Sequence, residues 1–382
     1  MKSKTLFFPH TYFSAQYMLR VLWPARELDK NGEKVRVISP ERDRTKLWDD
    51  DQFEKDMVWA DNIVVQMPGT KLALRIADFC NETGKKFIAD FDDNPLMVTP
   101  DNPAYAQFAE KDVGDKWKAG ITYNPRRSSL NTSLYKACIS MADAITVTNT
   151  FLADSFKGMT DAEIWVLPNM LKLDWYKKWN LPKSDEVRIG WQVSSSHAGD
   201  SDFLEDTLQK VVDKYNVKIV TLGDSFPAVE TTNTERHRWV DTDTFYTKLG
   251  ALNLDIGLCP LADNDFNRAK SNLKFLEYAA CNVPSVCSSI PNGPFNELLP
   301  PYKDRVLVPN DKKLWYEMLE KLILDAQGRK TIGEAANATL RNVYDIEQGW
   351  GLWRDCYNSI HENLVVAPTA HTRRILNTGG NT

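Results

Sequence analysis

The sequence has no CxxC pair; its six cysteines, Cys80, Cys138, Cys259, Cys281, Cys287 and Cys356, are scattered over 382 residues. Zinc and disulfide frameworks therefore lack support, and buried reduced thiols are the expected state. Histidine is as sparse, with five dispersed residues, so a histidine-built metal centre has no local seed. No apolar run approaches the roughly 18 to 20 residues that cross a bilayer. The opening MKSKTLFFPHTYF has too short an apolar core for a secretory signal. A cytoplasmic chain without integral membrane association is expected. Excess positive charge is missing too: the formal net charge of −5 provides no global field toward nucleic acid or anionic lipid, although a local basic patch is compatible with it. No low-complexity tract or clear repeat interrupts the chain, so most of it is expected to fold.

What is present is alternation, over a length that exceeds one ordinary domain of roughly 100 to 200 residues. LFF near Leu6, VRVIS at Val35, NIVVQM at Asn62, KFIADF at Lys86, AITVT at Ala144 and IWVLPN at Ile164 read as strands. Helical spacing runs from Tyr17 to Lys30 and from Thr70 to Thr83, with Gly32 and Gly84 where helices stop. This pattern predicts a parallel sheet wrapped by helices. The aperiodic stretch from Lys172 to Glu186 reads as a linker, and a second series follows: VRIGW, VKIVTLG, HRWV, LDIGLCPL, VPSVCSS and DRVLVP, with helices between. The fold expected is α/β, two Rossmann-like lobes facing a cleft: 1–171, linker 172–186, 187–344, and a polar tail at 366–382. Past Gly333 a long helical pattern carries Trp350, Trp353, Tyr357 and Ile360 at intervals of three or four. That stripe needs a partner surface while the second lobe already has helices enough, so a C-terminal helix is expected to cross back and complete the first lobe over 345–365.

Ligands of open α/β sheets bind beyond the carboxyl ends of strands. After LDIGLCPL comes ADNDFNRAKSNLKFLEYAACNVP, in which Lys270, Lys274 and Glu277 fall on one helical stripe while Leu273, Leu276 and Ala280 face the core. A lysine before a helix N-terminus opposes the helix dipole unless an anion sits there, and a diphosphate is such an anion. Backbone N–H groups at Ser271, Asn272 and Leu273 and the two lysines would hold it, and Glu277 would accept from ribose hydroxyls. A solvated Lys/Glu face shows the same spacing. The loop WQVSSSHAGD offers Ser195, Ser196 and His197 as small donors beside a strand end, or as a helix cap. In the first lobe His10, Tyr12 and Ser14 end the first strand, with Gln16 opening the helix and Arg20 inside it. Asp90, Asp92 and Asp93 gather at another strand end, followed by stiffening prolines. These acids could orient a nucleophile, bind acceptor hydroxyls, hold a divalent cation or form a solvated turn. Arg126 and Arg127 lie before a further helix, where an Arg/Ser cluster can hold phosphate.

The ordered set IGW-x-x-SxSH, LDIGLCPL and KSNLKFLEYAACNVPSV, with ITVTNTFLADSF and VLPN upstream, resembles the GT-B glycosyltransferases of the large retaining family often called family 4. The resemblance is strongest over residues 140 to 300. It implies that Glu277 binds the donor ribose, that amides at Ser271, Asn272 and Leu273 meet the diphosphate, and that Lys270 and Lys274 stabilise the leaving group. It also implies that no metal or other cofactor is needed; from their place at strand ends and a helix start, Asp92 is expected to serve the reaction and His10, Tyr12, Ser14, Asp90, Asp93 and Arg126 to face the acceptor. Two departures stand out. Many members carry a sugar-contacting glutamate eight positions before the second one, where this chain has Ala269, with Asn267, Arg268 or Lys270 as substitutes. The glycine-rich loop usual after the first strand is absent. DDNPLMVTPDNPAY is similar to lobes of bacteriophage glycosyltransferases, some of which modify hydroxymethylated pyrimidines in DNA. The expected function is thus retaining transfer from a nucleotide diphosphate sugar to a saccharide or glycolipid hydroxyl. A DNA acceptor and a non-catalytic nucleotide-sugar binding protein are the alternatives.

Overall fold

The computed structural model describes residues 2–40, 47, 50–100, 102, 105, 125–176, 185–194, 197, 199–223, 230–298 and 306–362, with backbone only at Pro125 and Arg127. The apolar runs of the first half form β1 (Lys4–Phe8), β2 (Lys34–Val37), β3 (Asn62–Gln66), β4 (Lys86–Phe91), β5 (Ala144–Val147) and β6 (Glu163–Val166). They pair in the order β2-β1-β3-β4-β5-β6, every neighbour parallel. The second half forms β7 (Val187–Val193), β8 (Val217–Gly223), β9 (Thr234–His237), β10 (Ile256–Cys259), β11 (Ser285–Ser288) and β12 (Leu307–Val308). Their order is β12-β11-β10-β7-β8-β9, again all parallel. β3 and β10 are buried along their whole length, which is why NIVVQ and IGLC lack a polar alternation. The strand order reverses between β1 and β3 in one sheet and between β7 and β10 in the other. Ligand crevices open beyond the strand ends at such points.

Local chemistry sets the helix limits. Thr70 caps the helix Lys71–Thr83 by accepting from Ala73 N–H at 3.1 Å, and Gly84 ends it in the left-handed region at φ 68°. The helix Asp51–Trp59 escaped the periodicity reading, and the helix expected after the arginine pair is Pro125–Met141, which begins before that pair. Arg126 and Arg127 therefore lie in its first turn rather than ahead of it.

The long C-terminal pattern is three helices, Ala326–Val343, Ile346–Gly349 and Gly351–Glu362. The break has a cause. Leu171 donates its N–H to Tyr344 O (2.8 Å) and accepts from Ile346 N–H (3.0 Å), while the Asp345 side chain caps Glu347 N–H (3.0 Å). The outgoing and returning crossings thus run side by side. Beyond them Gly351–Glu362 packs on the first lobe beside the helix Trp23–Lys30. The Tyr357 ring meets Phe7 of β1 edge-on at 5.6 Å, and its carbonyl accepts from Asn62 Nδ2 at 2.8 Å. Asn358 Oδ1 accepts from both the N–H and the hydroxyl of Ser3. The crossing back to the first lobe is therefore as expected. After Leu171, Lys172 pairs with Glu27 and Glu347, and Trp175 packs between Trp23 of the first lobe and Tyr246 of the second. Much of the expected linker and the tail at 366–382 lie outside the described residues. No helix among the described residues is long and apolar enough to cross a membrane.

Candidate functional site

The helix Leu273–Ala280 sets the geometry on the second lobe's side. Its Tyr278 ring lies so close to β10 that a Cβ at Gly257 would sit 2.6 Å from it. The Tyr278 hydroxyl donates to Gly190 O of β7 (3.0 Å) and accepts from Gln192 N–H (3.2 Å). With Tyr278 pinned, Glu277 turns toward the end of β7, where Gln192 Nε2 donates to its Oε2 at 2.7 Å. Lys274 and Leu273 lie one turn earlier, and Lys270 and Ser271 precede the helix. Leu273, expected to face the core, lines the cavity instead. No side chain caps this helix, because Asn272 reaches toward the Tyr344 hydroxyl at 3.4 Å. An uncapped start is what an anion-binding helix end requires.

The loop before the helix is held by the other lobe. Asn149 Nδ2 donates to the carbonyls of Ala269 (2.9 Å) and Lys270 (2.8 Å), and Asn169 Nδ2 donates to the Ser271 hydroxyl (3.0 Å). Ala269 is fully buried in the apolar core of the first lobe, so the position that carries glutamate in the resembled family has no access to the cleft here. Of its three proposed substitutes, Asn267 is bonded to Asp200 and Ala262 O, and Arg268 turns to Asp263, Asp265 and Pro291 O. Lys270 alone of the three lines the cavity.

In the first lobe the acids divide. Asp90 is buried and paired with Arg20 at 2.7 Å, and it also accepts from the Thr146 hydroxyl at 2.7 Å. Burial works against the Arg20 charge, but Asp90 outweighs it and the guanidinium pKa is raised. Asp92 accepts from Gln16 Nε2 at 3.0 Å, and Asp92 and Asp93 line the cavity. Burial first, then the charges of Asp93 and Asp90, push Asp92 well above the usual carboxylate range. Burial raises Asp93 as well, with Lys270 opposing.

The cavity between the lobes encloses about 250 Å³ and brings Lys270, Lys274, Glu277 and His197 opposite Asp92 and Asp93. Other sequence candidates lie elsewhere. Tyr12 donates its hydroxyl to Ile38 O and Ser39 O, Ser14 caps Tyr17 N–H, and His10 N–H donates to Gln66 Oε1. None of these three lines the cavity, and neither does Asp90 or the exposed Arg126. Ser195 and Ser196 lie outside the described residues. Gln192, Asp200, Asn149 and Asn169 were missed. Asp200, three residues after His197, was the one with a local spacing signal.

The cavity is electrostatically loaded on the second lobe's side. Burial, and then the charge of Lys270, lower the Lys274 pKa to about 8; burial also lowers that of Lys270. Burial raises Glu277 to about 7 against the opposing pull of Lys274 and Gln192. Two lysines repelling each other in a low-dielectric cleft are relieved by a bound anion. Among the described residues no group of three or more His, Cys, Asp or Glu is placed to hold a metal ion.

No known protein family matches the sequence, and no curated protein does. Solved structures do match in fold. Sucrose-phosphate synthase from Thermosynechococcus elongatus superposes with a TM-score of 0.61 at 12% identity, over 94% of this chain and 100% of that one. The fold is GT-B. A point mutant of S. aureus TarM, solved with fondaparinux, alpha-GlcNAc-glycerol and UDP, gives 0.52 at 15% identity over 78% of this chain, which spans 55% of the TarM chain. S. aureus MnaA, solved with UDP, gives 0.50 at 14% identity over 95% of this chain and 98% of that one.

Proposed function

We propose that the chain is a glycosyltransferase that moves a sugar, with retention, from a nucleoside diphosphate sugar to a hydroxyl of a saccharide or glycolipid. One observation carries the reading: an uncapped helix start and two lysines from one lobe face two acids from the other across the cleft. Lys270 and Lys274 neutralise the departing diphosphate, Glu277 with Gln192 behind it takes the ribose hydroxyls, and Asp92 and Asp93 receive the acceptor. The structures of TarM and MnaA with UDP support a nucleotide in this cleft. No observed feature favours a DNA acceptor.

The test is incubation with UDP-, GDP-, ADP- and dTDP-sugars. Slow hydrolysis with release of the nucleoside diphosphate is expected from at least one, and it should survive EDTA because lysines and helix amides meet the phosphate charge. Binding without release from any donor would leave a non-catalytic nucleotide-sugar binding protein. Loss in EDTA restored by magnesium or manganese would make the phosphate charge a metal's task. Proton NMR of a product formed from an α-linked donor should show an α-anomer, and a β-anomer would refute retention.

The pKa shifts make donor affinity pH-dependent in a stated sense. Diphosphate favours protonated Lys274, which is already charged below about pH 8. Affinity should therefore fall by up to about tenfold per unit above that value. Ribose binding needs ionised Glu277, so affinity should also fall below about pH 7. Calorimetry with UDP-glucose or GDP-glucose, whose phosphates do not titrate in this range, is expected to give a bell between about pH 6 and 9. Glu277→Gln should remove the acid limb alone. A flat profile would detach both residues from the donor.

A further inference from the structure

His197 is held in one tautomer. Its Nδ1 lies 2.7 Å from Asp200 Oδ2, while the other Asp200 oxygen accepts from Ala262 N–H (2.9 Å) and Asn267 Nδ2 (2.6 Å). Burial opposes the Asp200 charge. The hydrogen bond from His197, the charge of Lys270 and the Ala262 N–H outweigh it and hold the carboxyl below its usual range. An ionised carboxylate only accepts, so Nδ1 carries the proton and Nε2 keeps the ring's lone pair. Lys270 Nζ, 3.3 Å from Nδ1, leaves this unchanged, since a protonated Nδ1 has no lone pair to offer.

Nε2 makes no hydrogen bond to a described residue, and the ring lines the cavity. Burial, and then the charges of Lys270 and Lys274, lower the imidazole pKa to about 3. The ring therefore stays neutral at working pH and is too weak a base to take a proton from an alcohol. A phosphate oxygen carries no proton to give such a lone pair. A sugar hydroxyl does. Ala269 is sealed in the first lobe's core and offers nothing to the cavity, whereas the His197 ring lines it.

We propose that His197, oriented by Asp200 and Asn267, recognises the transferred sugar by accepting a hydrogen bond from one of its hydroxyls. This rests on the nucleotide-sugar reading above. Asp200 and Asn267 act as positioning residues. A donor whose hydroxyl is replaced by hydrogen or fluorine leaves the Nε2 lone pair unpaired in a half-buried site, and that is the source of selectivity.

Three variants separate orientation from shape. His197→Phe removes the acceptor. His197→Gln supplies an amide oxygen at similar reach. Asp200→Asn is isosteric: its Oδ1 keeps Ala262 and Asn267, its Nδ2 donates to Nδ1, and the ring proton moves to Nε2. Calorimetry would compare UDP and GDP with their glucose and N-acetylglucosamine conjugates, and with the 2-, 3-, 4- and 6-deoxyfluoro glucose conjugates. The readout is the affinity of a conjugate relative to its free nucleotide, which a purely structural role would not move. His197→Phe should lower this ratio about 3- to 10-fold with free-nucleotide affinity unchanged; Asp200→Asn should lower the ratio as much, whatever the loss of its charge beside Lys270 does to free-nucleotide affinity, and His197→Gln should restore part of it. In wild type one fluoro position should bind worse than its parent sugar. In Asp200→Asn that same position should reach parity, because an N–H now faces the fluorine. An unchanged ratio in folded His197→Phe and Asp200→Asn, with free nucleotide still bound, would overturn this proposal alone. Failure of wild type to bind either nucleotide or any conjugate would overturn the nucleotide-sugar reading and this proposal with it.

Discussion

Lys270→Ala and Lys274→Ala are each expected to lower turnover by about 10²- to 10³-fold in a folded protein, the range for removing one preorganised charge partner from a transition state. The two ammonium groups share a cleft in which burial already depresses both. Negative charge offsets that cost of burial, so their favourable interaction grows as charge develops on the departing phosphate. Such residues affect turnover more than donor affinity. A nucleoside monophosphate sugar, which lacks the second phosphate, should lose most of its sensitivity to the substitutions. Steady-state rates for both donors in both variants check this. An equal loss with either donor would mean that the lysines hold up the cleft and do not serve the leaving group.

Removing the chain from Asp345 onward should abolish activity although every proposed donor contact remains. Ile346, Leu352, Trp353, Cys356, Tyr357 and Ile360 are all buried. At roughly 1.5 to 3 kcal/mol for a fully buried large apolar side chain, their loss is on the order of 10 kcal/mol, comparable to the whole net stability of a domain. The exposed surface would belong to the first lobe, around Phe7 and Asn62. The truncated chain is expected to bind a hydrophobic dye, lose near-ultraviolet circular dichroism and show no donor hydrolysis. Normal turnover in it would show that the returning helix is dispensable.

The second lobe's side of the cavity was legible because its residues are close in sequence and a helix repeats about every 3.6 residues, so Lys270, Lys274 and Glu277 could be placed together from spacing alone. The reading went astray where partners are distant or where the backbone breaks. Periodicity ran through Tyr344 and Asp345 because the apolar spacing continues there, whereas the break comes from a two-way bond with Leu171. Asp90 and Asp92 looked equivalent as neighbours at a strand end. Alternate residues of a strand share a face, but Arg20, seventy residues earlier in the chain, takes Asp90 as its ion-pair partner while Asp92 reaches the cavity.

The sequence by itself determined the two parallel α/β lobes, the returning helix and the lysine–glutamate stripe, since each follows from periodicity and composition acting over one element at a time. Tertiary structure alone decided which polar residues the cleft uses. Asn149 and Asn169 reach more than a hundred residues ahead to hold the loop before the helix Leu273–Ala280. Tyr278 fixes the roll of that helix through β7, and Asp200 sets the tautomer of His197. The physical reason is that a hydrogen bond or a buried ion pair depends on distance and direction in space. Those are established only when the sheets, once formed, bring separate loops to a common edge.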